Sequence, residues 1–171
     1  MKHSMYGYMS YPITHGDHNE RTHFYLDTFA GSDVILELGV ADGSLSKTFM
    51  QCSKTVIGVD IQNLINMDEM LAHANSCNSR FEFIHSDDLL IDPIECDVLF
   101  IDSSHEEEHT YQELTHFSSY VKTFIALHDI TPVFETLKGF DRWYEETGKD
   151  SWEEYYRDYN VCGLLVLKRK N

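Results

Sequence analysis

The sequence predicts an α/β fold in which helices cover both faces of a mostly parallel β-sheet. Short apolar runs of strand length alternate along the chain with segments whose apolar residues recur every three or four positions. The runs are almost continuously apolar, which is typical of parallel strands buried on both faces. The chain has 171 residues, which suits one domain with a substantial core. We therefore expect a single domain over residues 1–171, with a sheet-forming core over 31–171.

The apolar runs and the helical spacing give the order of the elements. Strands are predicted at 33–39, 54–60, 80–86, 96–102, 123–129 and 163–169. Helices are predicted between them, at 44–51, 63–75, 109–121 and 134–148. The stretch 139–159 is rich in Trp and Tyr, and on an amphipathic helix such residues are usually core or interface. This stretch leaves room for a homodimer face, or for a wall against a flat ligand.

The formal net charge of −16 restricts the classes of partner. Nucleic-acid binding depends on clustered Lys and Arg that neutralise phosphates, and the only basic cluster in the sequence is 168–170. We therefore expect no nucleic-acid partner. No apolar run approaches the roughly 20 residues of a membrane span, and the first residues lack the apolar centre of a secretory signal. We expect a cytoplasmic protein with no membrane partner.

Five successive predicted strands end in polar or acidic residues. These strand ends are 37–39, Asp60, 86–88, Asp102 and 128–129. A single Asp after a strand is usually a turn residue or a helix cap. In open α/β sheets, however, ligands bind beyond the carboxyl ends of parallel strands, which lie along one edge. Five polar ends in succession therefore indicate a ligand site at this edge.

The first predicted strand leads into a glycine-punctuated turn at 39–43. Glycine allows the backbone to approach a ligand closely, and the helix that begins near Ser44 offers unpaired N–H groups to a carboxylate or phosphate. Glu37, just before the turn, disfavours a pyrophosphate but suits the cationic amino-acid end of a ligand. Asp60 can accept hydrogen bonds from ribose hydroxyls. The ligand that fits is adenosine joined to an amino acid through a sulfonium, although the turn can also be a plain strand-to-helix connection.

Four sequence blocks resemble, in their order along the chain, those of class I S-adenosylmethionine-dependent methyltransferases. The blocks are ELGVADGSLS, IGVDIQ, FEFIHSDD, and DVLFIDSSHEEEHTYQEL together with FIALHDI. The last block is similar to metal-assisted small-molecule O-methyltransferases of the cephalosporin-hydroxylase-like and macrolide-sugar types. The resemblance covers residues 30–170 and implies a Rossmann-like, seven-stranded sheet whose last strand is antiparallel. It also implies S-adenosylmethionine as the cofactor.

The resemblance and the strand-end pattern together assign the cofactor-binding residues. Ala41 departs from the family, because many members carry a second glycine at this position. Ser86 and Asp87 match the adenine end of the site. The complete expected set is Glu37, Gly39, Val40, Ala41, Gly43, Ser44, Asp60, Ile61, Ser86, Asp87 and Asp102.

Two segments, FIDSSHEEEH and ALHDI, carry the expected chemistry. Asp102 and Asp129 end strands that we expect to be neighbours, and with His128 they are expected to bind Mg²⁺ or Mn²⁺. Such a cation lowers the pKa of an acceptor hydroxyl and orients it. His105 is expected to take the proton as general base, with Asp102 beside it as the second catalytic residue, and the resemblance supports these roles. The alternatives are a hydrogen-bonding His128, a helix-capping Asp102 and a surface His105.

The acids at 106–108, two histidines of the following helix and the N-terminal segment are expected to have structural rather than catalytic roles. Glu106 to Glu108 are expected to begin the following helix, where acids suit the helix dipole. His109 and His116 are expected to be surface or packing residues rather than a second metal site. Residues 1–30 are a candidate cap or lid, with 11–18 over the cofactor, the alternative being a surface-docked tail.

The predicted function is methyl transfer from S-adenosylmethionine to a hydroxyl oxygen of a small molecule, with divalent-metal assistance. One alternative is a module that binds S-adenosylmethionine without catalysis. Another is an NAD-dependent dehydrogenase, which the missing third glycine and Glu37 disfavour. A third is a metal-dependent hydroxylase or hydrolase that uses Asp102, His105 and Asp129.

Overall fold

A computed structural model describes residues 16–171, with side chains from residue 21 onwards. Seven strands over these residues are β1 (Ser32–Leu38), β2 (Ser53–Asp60), β3 (Arg80–His85), β4 (Cys96–Ile101), β5 (Val121–His128), β6 (Trp152–Asp158) and β7 (Leu164–Arg169). The α-helices are α1 (Gly16–Thr28), α2 (Ser44–Phe49), α3 (Met67–Ser76), α4 (Glu107–Phe117) and α5 (Thr136–Glu146). A short 3-10 turn, Asp88–Leu90, follows β3.

The strands form one sheet in the order β3-β2-β1-β4-β5-β7-β6. The first five are parallel, and β7 is inserted antiparallel between β5 and β6. This arrangement confirms the expected seven-stranded, Rossmann-like sheet, including its antiparallel last strand. The direction of strand order reverses between β1 and β4, and in such sheets the crevice for a ligand lies at this reversal.

Helices cover both faces of the sheet, because alternate residues of each strand point to opposite sides. On one face, α4 and α5 bury large side chains that include Phe117 and Trp143. On the other face, α1, α2 and α3 bury Tyr25, Phe49 and Met70. The strands between them are apolar on both sides, as their sequences require.

The helix expected at 134–148 agrees with α5, but the helical interpretation of the whole aromatic stretch 139–159 is wrong. The stretch 139–159 contains the end of α5, which stops at Glu146, and then the edge strand β6. Gly148 closes the helix against Trp143, since a Cβ on this glycine would lie 2.5 Å from the indole ring. Beyond it, Trp152 and the paired tyrosines that follow favour a pleated strand over a helix. Trp143 and Trp152 are buried, as expected of core aromatics, but Trp152 lies in a strand and not in a helix.

The described part of the N-terminal segment packs into the core. Tyr25 and Phe29 are buried, and the Tyr25 ring contacts Phe49 and Phe100 edge to face. Residues 11–15 of the expected lid lie outside the described residues. Within residues 16–171, none of the helices has the length and apolar character needed to cross a membrane.

Candidate functional site

A cleft of about 710 Å³ opens at the carboxyl ends of β1, β2 and β4, beside the start of α4. Nine of the expected cofactor residues line it: Glu37, Gly39, Val40, Ala41, Ser44, Asp60, Ile61, Asp87 and Asp102. Within the described part of the chain, Gly43 and Ser86 lie outside the lining. Gly43 caps the start of α2, and Ser86 donates its backbone N–H to the carbonyl oxygen of Asp60.

The turn after β1 is pressed against the loop that follows β4. Gly39 has φ +85°, and a Cβ at this position would lie 2.1 Å from the carbonyl oxygen of Asp102 and 2.9 Å from the nitrogen of Ser103. Only glycine allows both the backbone conformation and the approach. The two ends of the cleft are therefore joined through this contact.

Asp60 holds the same turn from the other side. Its Oδ2 accepts hydrogen bonds from the backbone N–H groups of Val40 and Ala41, each at 2.9 Å, and its Oδ1 accepts one from Gln62 at 2.7 Å. A carboxylate offers about four acceptor positions, so roughly one remains for a ligand. Ala41 has φ +50°, a left-handed conformation that explains why a glycine would suit this position.

Glu37 lies at the base of the cleft with its carboxyl group buried. Ser46 donates a hydrogen bond to Oε2, while Oε1 has no hydrogen-bond partner among residues 16–171. Burial raises the pKa of Glu37 to about 8, against the lowering effect of Ser46, and the negative charge of Asp102 adds to the rise. The raised pKa favours the protonated carboxyl group when the cleft is empty, and a cationic ligand beside Glu37 would favour the carboxylate.

Four side chains meet where β4 and β5 end: Asp102, His105, His128 and Asp129, called the β4–β5 cluster below. His128 Nδ1 lies 3.3 Å from Asp102 Oδ1 and 3.2 Å from Asp129 Oδ1. His105 Nε2 lies 3.1 Å from Asp102 Oδ1 and 3.0 Å from Asp129 Oδ2. The expected catalytic and metal residues are thus brought together, with Asp102 and His105 lining the cleft. His128 and Asp129 are buried.

The charges in the β4–β5 cluster perturb each other. Burial raises the pKa of Asp102, but the charge of His128 and hydrogen bonds from both histidines outweigh it, so the pKa is well below its usual range. Burial lowers the pKa of His105, but its hydrogen bond to Asp102 and the charge of Asp129 raise it above its usual value. His105 and Asp129 also have positive φ angles, 58° and 55°. Such strained residues concentrate at functional sites.

A second group, Asp88, His109 and Glu113, called the α4 cluster below, was not foreseen. His109 Nε2 lies 3.0 Å from Asp88 Oδ1 and 3.6 Å from Glu113 Oε1. His116 lies apart from this cluster and contacts the carbonyl oxygen of Ile91 at 2.9 Å, as a packing residue does. The spacing of His109 and Glu113, which places both on one helix face, was the available signal.

Glu106 caps α4, as expected, and Glu107 and Glu108 occupy its first turn. These acids lie at the positive end of the helix dipole. The loop from Ser103 to His105, directly before this helix, lines the cleft. The carbonyl oxygen of His105 accepts a hydrogen bond from the backbone N–H of Glu135. The lining loop is therefore fixed at both ends.

Comparison with known proteins gives structural relatives at low sequence identity. Searches with protein-family models and among curated proteins give no match. The N-methyltransferase NodS from Bradyrhizobium japonicum superposes with a TM-score of 0.65 at 11% identity, over 95% of this chain and 99% of that chain. Magnesium protoporphyrin IX methyltransferase (ChlM) from Synechocystis, solved with bound SAM, gives 0.64 at 16% identity, over 91% and 79%.

An rRNA methylase from Streptococcus thermophilus is also similar, with a TM-score of 0.58 at 12% identity over 89% of this chain and 95% of that chain. The relatives act on different kinds of acceptor, so the likeness is one of architecture. Two of them are complexes with S-adenosylmethionine and S-adenosylhomocysteine. The chain described here has the fold of the class I S-adenosylmethionine-dependent methyltransferases.

Proposed function

We propose that this protein is an S-adenosylmethionine-dependent methyltransferase that methylates a hydroxyl oxygen of a small molecule with the help of a divalent cation. The observation that carries the proposal is the composition of the cleft. A buried Glu37 and the close-packed turn line one part of it, and Asp102 and His105 line another. A sulfonium methyl group held by the first part can face an acceptor oxygen held by the second.

The first part of the cleft suits a cationic adenosyl ligand. Glu37 Oε1, unpaired within the described residues, can accept a hydrogen bond from the ligand's ammonium group and compensate its charge. Asp60 retains an acceptor position for a ribose hydroxyl, and Asp87 lies further along the lining. The volume of about 710 Å³ lies within the roughly 300–1,000 Å³ typical of small-molecule sites.

The β4–β5 cluster suits a divalent cation. Ligand atoms of Asp102, His128 and Asp129 all lie within 4.8 Å of one another. An ion bound at about 2.1–2.2 Å holds adjacent ligands roughly 3.0–3.5 Å apart, which agrees with the 3.2 Å and 3.3 Å observed. Asp129 Oδ1 has no hydrogen-bond partner in residues 16–171. The imidazole ligand favours Mn²⁺ over Mg²⁺.

A cation in this position would polarise the acceptor hydroxyl and lower its pKa. His105 lines the cleft, and its Nε2 faces Asp102 and Asp129 and carries the proton that these carboxylates accept. The other ring nitrogen, Nδ1, can then take the hydroxyl proton. The two carboxylates then stabilise the imidazolium. Because the same carboxylates raise the pKa of His105, the neutral form needed for proton abstraction grows with rising pH.

Calorimetric titration of metal-stripped protein tests the cofactor and the metal. We expect saturable binding of S-adenosylmethionine and S-adenosylhomocysteine and no binding of NAD. In Asp102→Ala we expect the protein to bind one equivalent of Mn²⁺ fewer than the wild type. The matched control is Asp150→Ala, which removes an exposed acid from the short turn before β6. Absence of binding by both adenosyl compounds would refute the proposal, and binding of NAD would favour a dehydrogenase.

The acceptor class needs a separate test with S-adenosylmethionine labelled in its methyl group. We expect label in hydroxylated small molecules and none in rRNA or protein, because the chain carries a formal net charge of −16. Label in an RNA fraction would contradict the acceptor class but not the cofactor. Tight cofactor binding without transfer to any acceptor would indicate a binding module.

A further inference from the structure

The α4 cluster joins three parts of the chain around the cleft. Asp88 begins the 3-10 turn after β3, and His109 and Glu113 lie one turn apart on α4. Ser103, in the loop after β4, donates a hydrogen bond from Oγ to Glu113 Oε1 at 2.5 Å. Asp88, Ser103 and His109 line the cleft, while Glu113 is fully buried behind them. The cluster shares no residue with the β4–β5 cluster.

The hydrogen bonding of the α4 cluster is incomplete. Glu113 Oε2 is buried and has no hydrogen-bond partner among the described residues, and Asp88 Oδ1, also buried, has only the ion-pair contact with His109 Nε2 at 3.0 Å. Glu113 has a relative exposure of 0% and Asp88 of 7%, so solvent does not replace the missing partners. Two buried carboxyl groups with unused oxygen atoms are costly unless a proton or a cation compensates them.

The arrangement of donor atoms fits a cation. Ligand atoms of Asp88, His109 and Glu113 all lie within 4.8 Å of one another. His109 Nε2 lies 3.0 Å from Asp88 Oδ1 and 3.6 Å from Glu113 Oε1. Adjacent ligands of an ion bound at about 2.1 Å lie roughly 3.0–3.5 Å apart, so both separations are close to those of a metal site. Ser103 donates a hydrogen bond to Glu113 Oε1, the oxygen 3.6 Å from His109 Nε2, and so orients the carboxylate as outer hydrogen bonds do in metal sites, while Oε2 has no hydrogen-bond partner among the described residues.

We propose that Asp88, His109 and Glu113 bind a divalent transition-metal ion at a second site, separate from the β4–β5 cluster. One imidazole and two carboxylates form a donor set typical of Zn²⁺ and Mn²⁺ rather than Mg²⁺. Three protein ligands leave a coordination position open, and the cleft-lining side chains of Asp88 and His109 place that position toward the cleft. The ion ties the turn after β3 to α4 and so fixes one wall of the cleft.

Two members of the α4 cluster have raised pKa values in the metal-free protein. The contact with Asp88 raises the pKa of His109 to about 9, although burial opposes the rise. Burial raises the pKa of Glu113 to about 8, and the negative charge of Asp88 adds to it. Metal binding must therefore displace protons, and the apparent affinity is expected to increase with pH.

Titration of the chelator-treated full chain with Zn²⁺ and with Mn²⁺ tests the second site. In Glu113→Gln, which keeps the size of the side chain, we expect one metal equivalent to be lost or its affinity to fall at least about 10- to 100-fold. His109→Gln should give the same result. His116→Gln, which changes a histidine on the same helix outside the cluster, should bind metal like the wild type.

Asp102→Asn separates this proposal from the first metal site. If both sites exist, the wild type binds two equivalents, Glu113→Gln and Asp102→Asn each bind one, and the double variant binds none. If only the α4 cluster binds metal, Asp102→Asn leaves the stoichiometry unchanged. Unchanged metal binding in both Glu113→Gln and His109→Gln would overturn the second site, and the cluster would then be a protonated ion pair.

A thermal-shift measurement gives a second readout that guards against misfolded variants. The metal-free Glu113→Gln protein should unfold at a temperature close to that of the metal-free wild type, because the glutamine can still accept the Ser103 hydrogen bond. Added Zn²⁺ should raise the unfolding temperature of Asp102→Asn, in which only the α4 cluster remains, but not that of the double variant Asp102→Asn/Glu113→Gln. An equal rise in these two proteins would overturn the proposal.

Discussion

The contact between Gly39 and the loop after β4 can be tested by adding a single methyl group. In Gly39→Ala the residue would keep φ near +85°, which costs about 1–2 kcal/mol for a residue with a Cβ. The Cβ would also lie 2.1 Å from the carbonyl oxygen of Asp102, so the backbone must move. Overpacking of this kind costs typically about 1–3 kcal/mol. The free energy of unfolding should therefore fall by about 2–5 kcal/mol.

Gly31→Ala provides the matched control. Gly31 has a similar φ of +80°, but a Cβ there has nothing within 4 Å among the described residues. The control should lose only the conformational part, about 1–2 kcal/mol. The difference between the two variants in the free energy of unfolding, about 1–3 kcal/mol, is the cost of the close approach alone. Each kcal/mol corresponds to roughly 2–4 °C in unfolding temperature for a chain of this size.

Urea denaturation of both variants measures the two free energies, and Mn²⁺ titration reports whether the backbone shift reaches Asp102. Because the methyl group pushes on the carbonyl of Asp102 itself, Gly39→Ala should also weaken Mn²⁺ binding, whereas Gly31→Ala should not. Equal destabilisation of the two variants, with Mn²⁺ binding intact in both, would show that the turn does not press on the loop.

Three further predictions concern single residues of the cleft. Ala41→Gly removes the cost of a positive φ at a residue with a Cβ, about 1–2 kcal/mol, and adds the chain-entropy cost of a glycine, about 0.5–1 kcal/mol. Urea denaturation should therefore show that the free energy of unfolding rises by about 0.5–1 kcal/mol. A clear fall would contradict the strain at Ala41. The pKa of Glu37 is raised from 4.5 to about 8, so between these pH values the folded state holds a proton that the unfolded chain has released. The raised pKa stabilises the folded state below pH 4.5. As the pH rises from 4.5 to 8, this part of the free energy of unfolding is lost by up to about 1.4 kcal/mol per pH unit. Glu37→Gln removes the contribution, so its stability relative to the wild type should improve between pH 5 and pH 8, and a pH-independent difference would argue against a protonated Glu37. Asp102→Asn removes the hydrogen bond and charge that raise the pKa of His105 above 6.5, so an NMR titration should show a lower pKa for His105 in the variant than in the metal-free wild type, and an unchanged value would contradict the coupling.

The sequence carried enough information for the parallel strands and for most of the cleft. Strands β1, β2, β4 and β5 contain the apolar runs that are typical of buried parallel strands, β7 is apolar over its first four residues, and the edge strand β3 alternates apolar with polar residues. The acids at their ends, such as Asp60 and Asp102, could be placed at one edge because parallel connections leave no alternative. Their proximity followed from topology alone.

The edge strand and the α4 cluster were beyond such reasoning for different physical reasons. β6 is exposed on one side, so Trp152–Asp158 lacks the apolar run of a buried strand and resembles an aromatic helix in composition. The α4 cluster depends on the distance between Asp88 and His109, which belong to different elements and are joined only by tertiary packing. The hydrogen bonds from the turn to Asp60 likewise depend on backbone geometry that no residue pattern encodes.

The position of β7 has a consequence for synthesis on the ribosome. Strands β1 to β3 leave the ribosome first, whereas β5 gains its second neighbour only when residues 164–169 have emerged. Until then the nascent chain exposes β5 as an apolar edge, which is prone to pair with other chains. The part of the cleft built on β1 and β2 can therefore form before the β4–β5 cluster is fixed, and chaperone demand should concentrate in the last stage of translation.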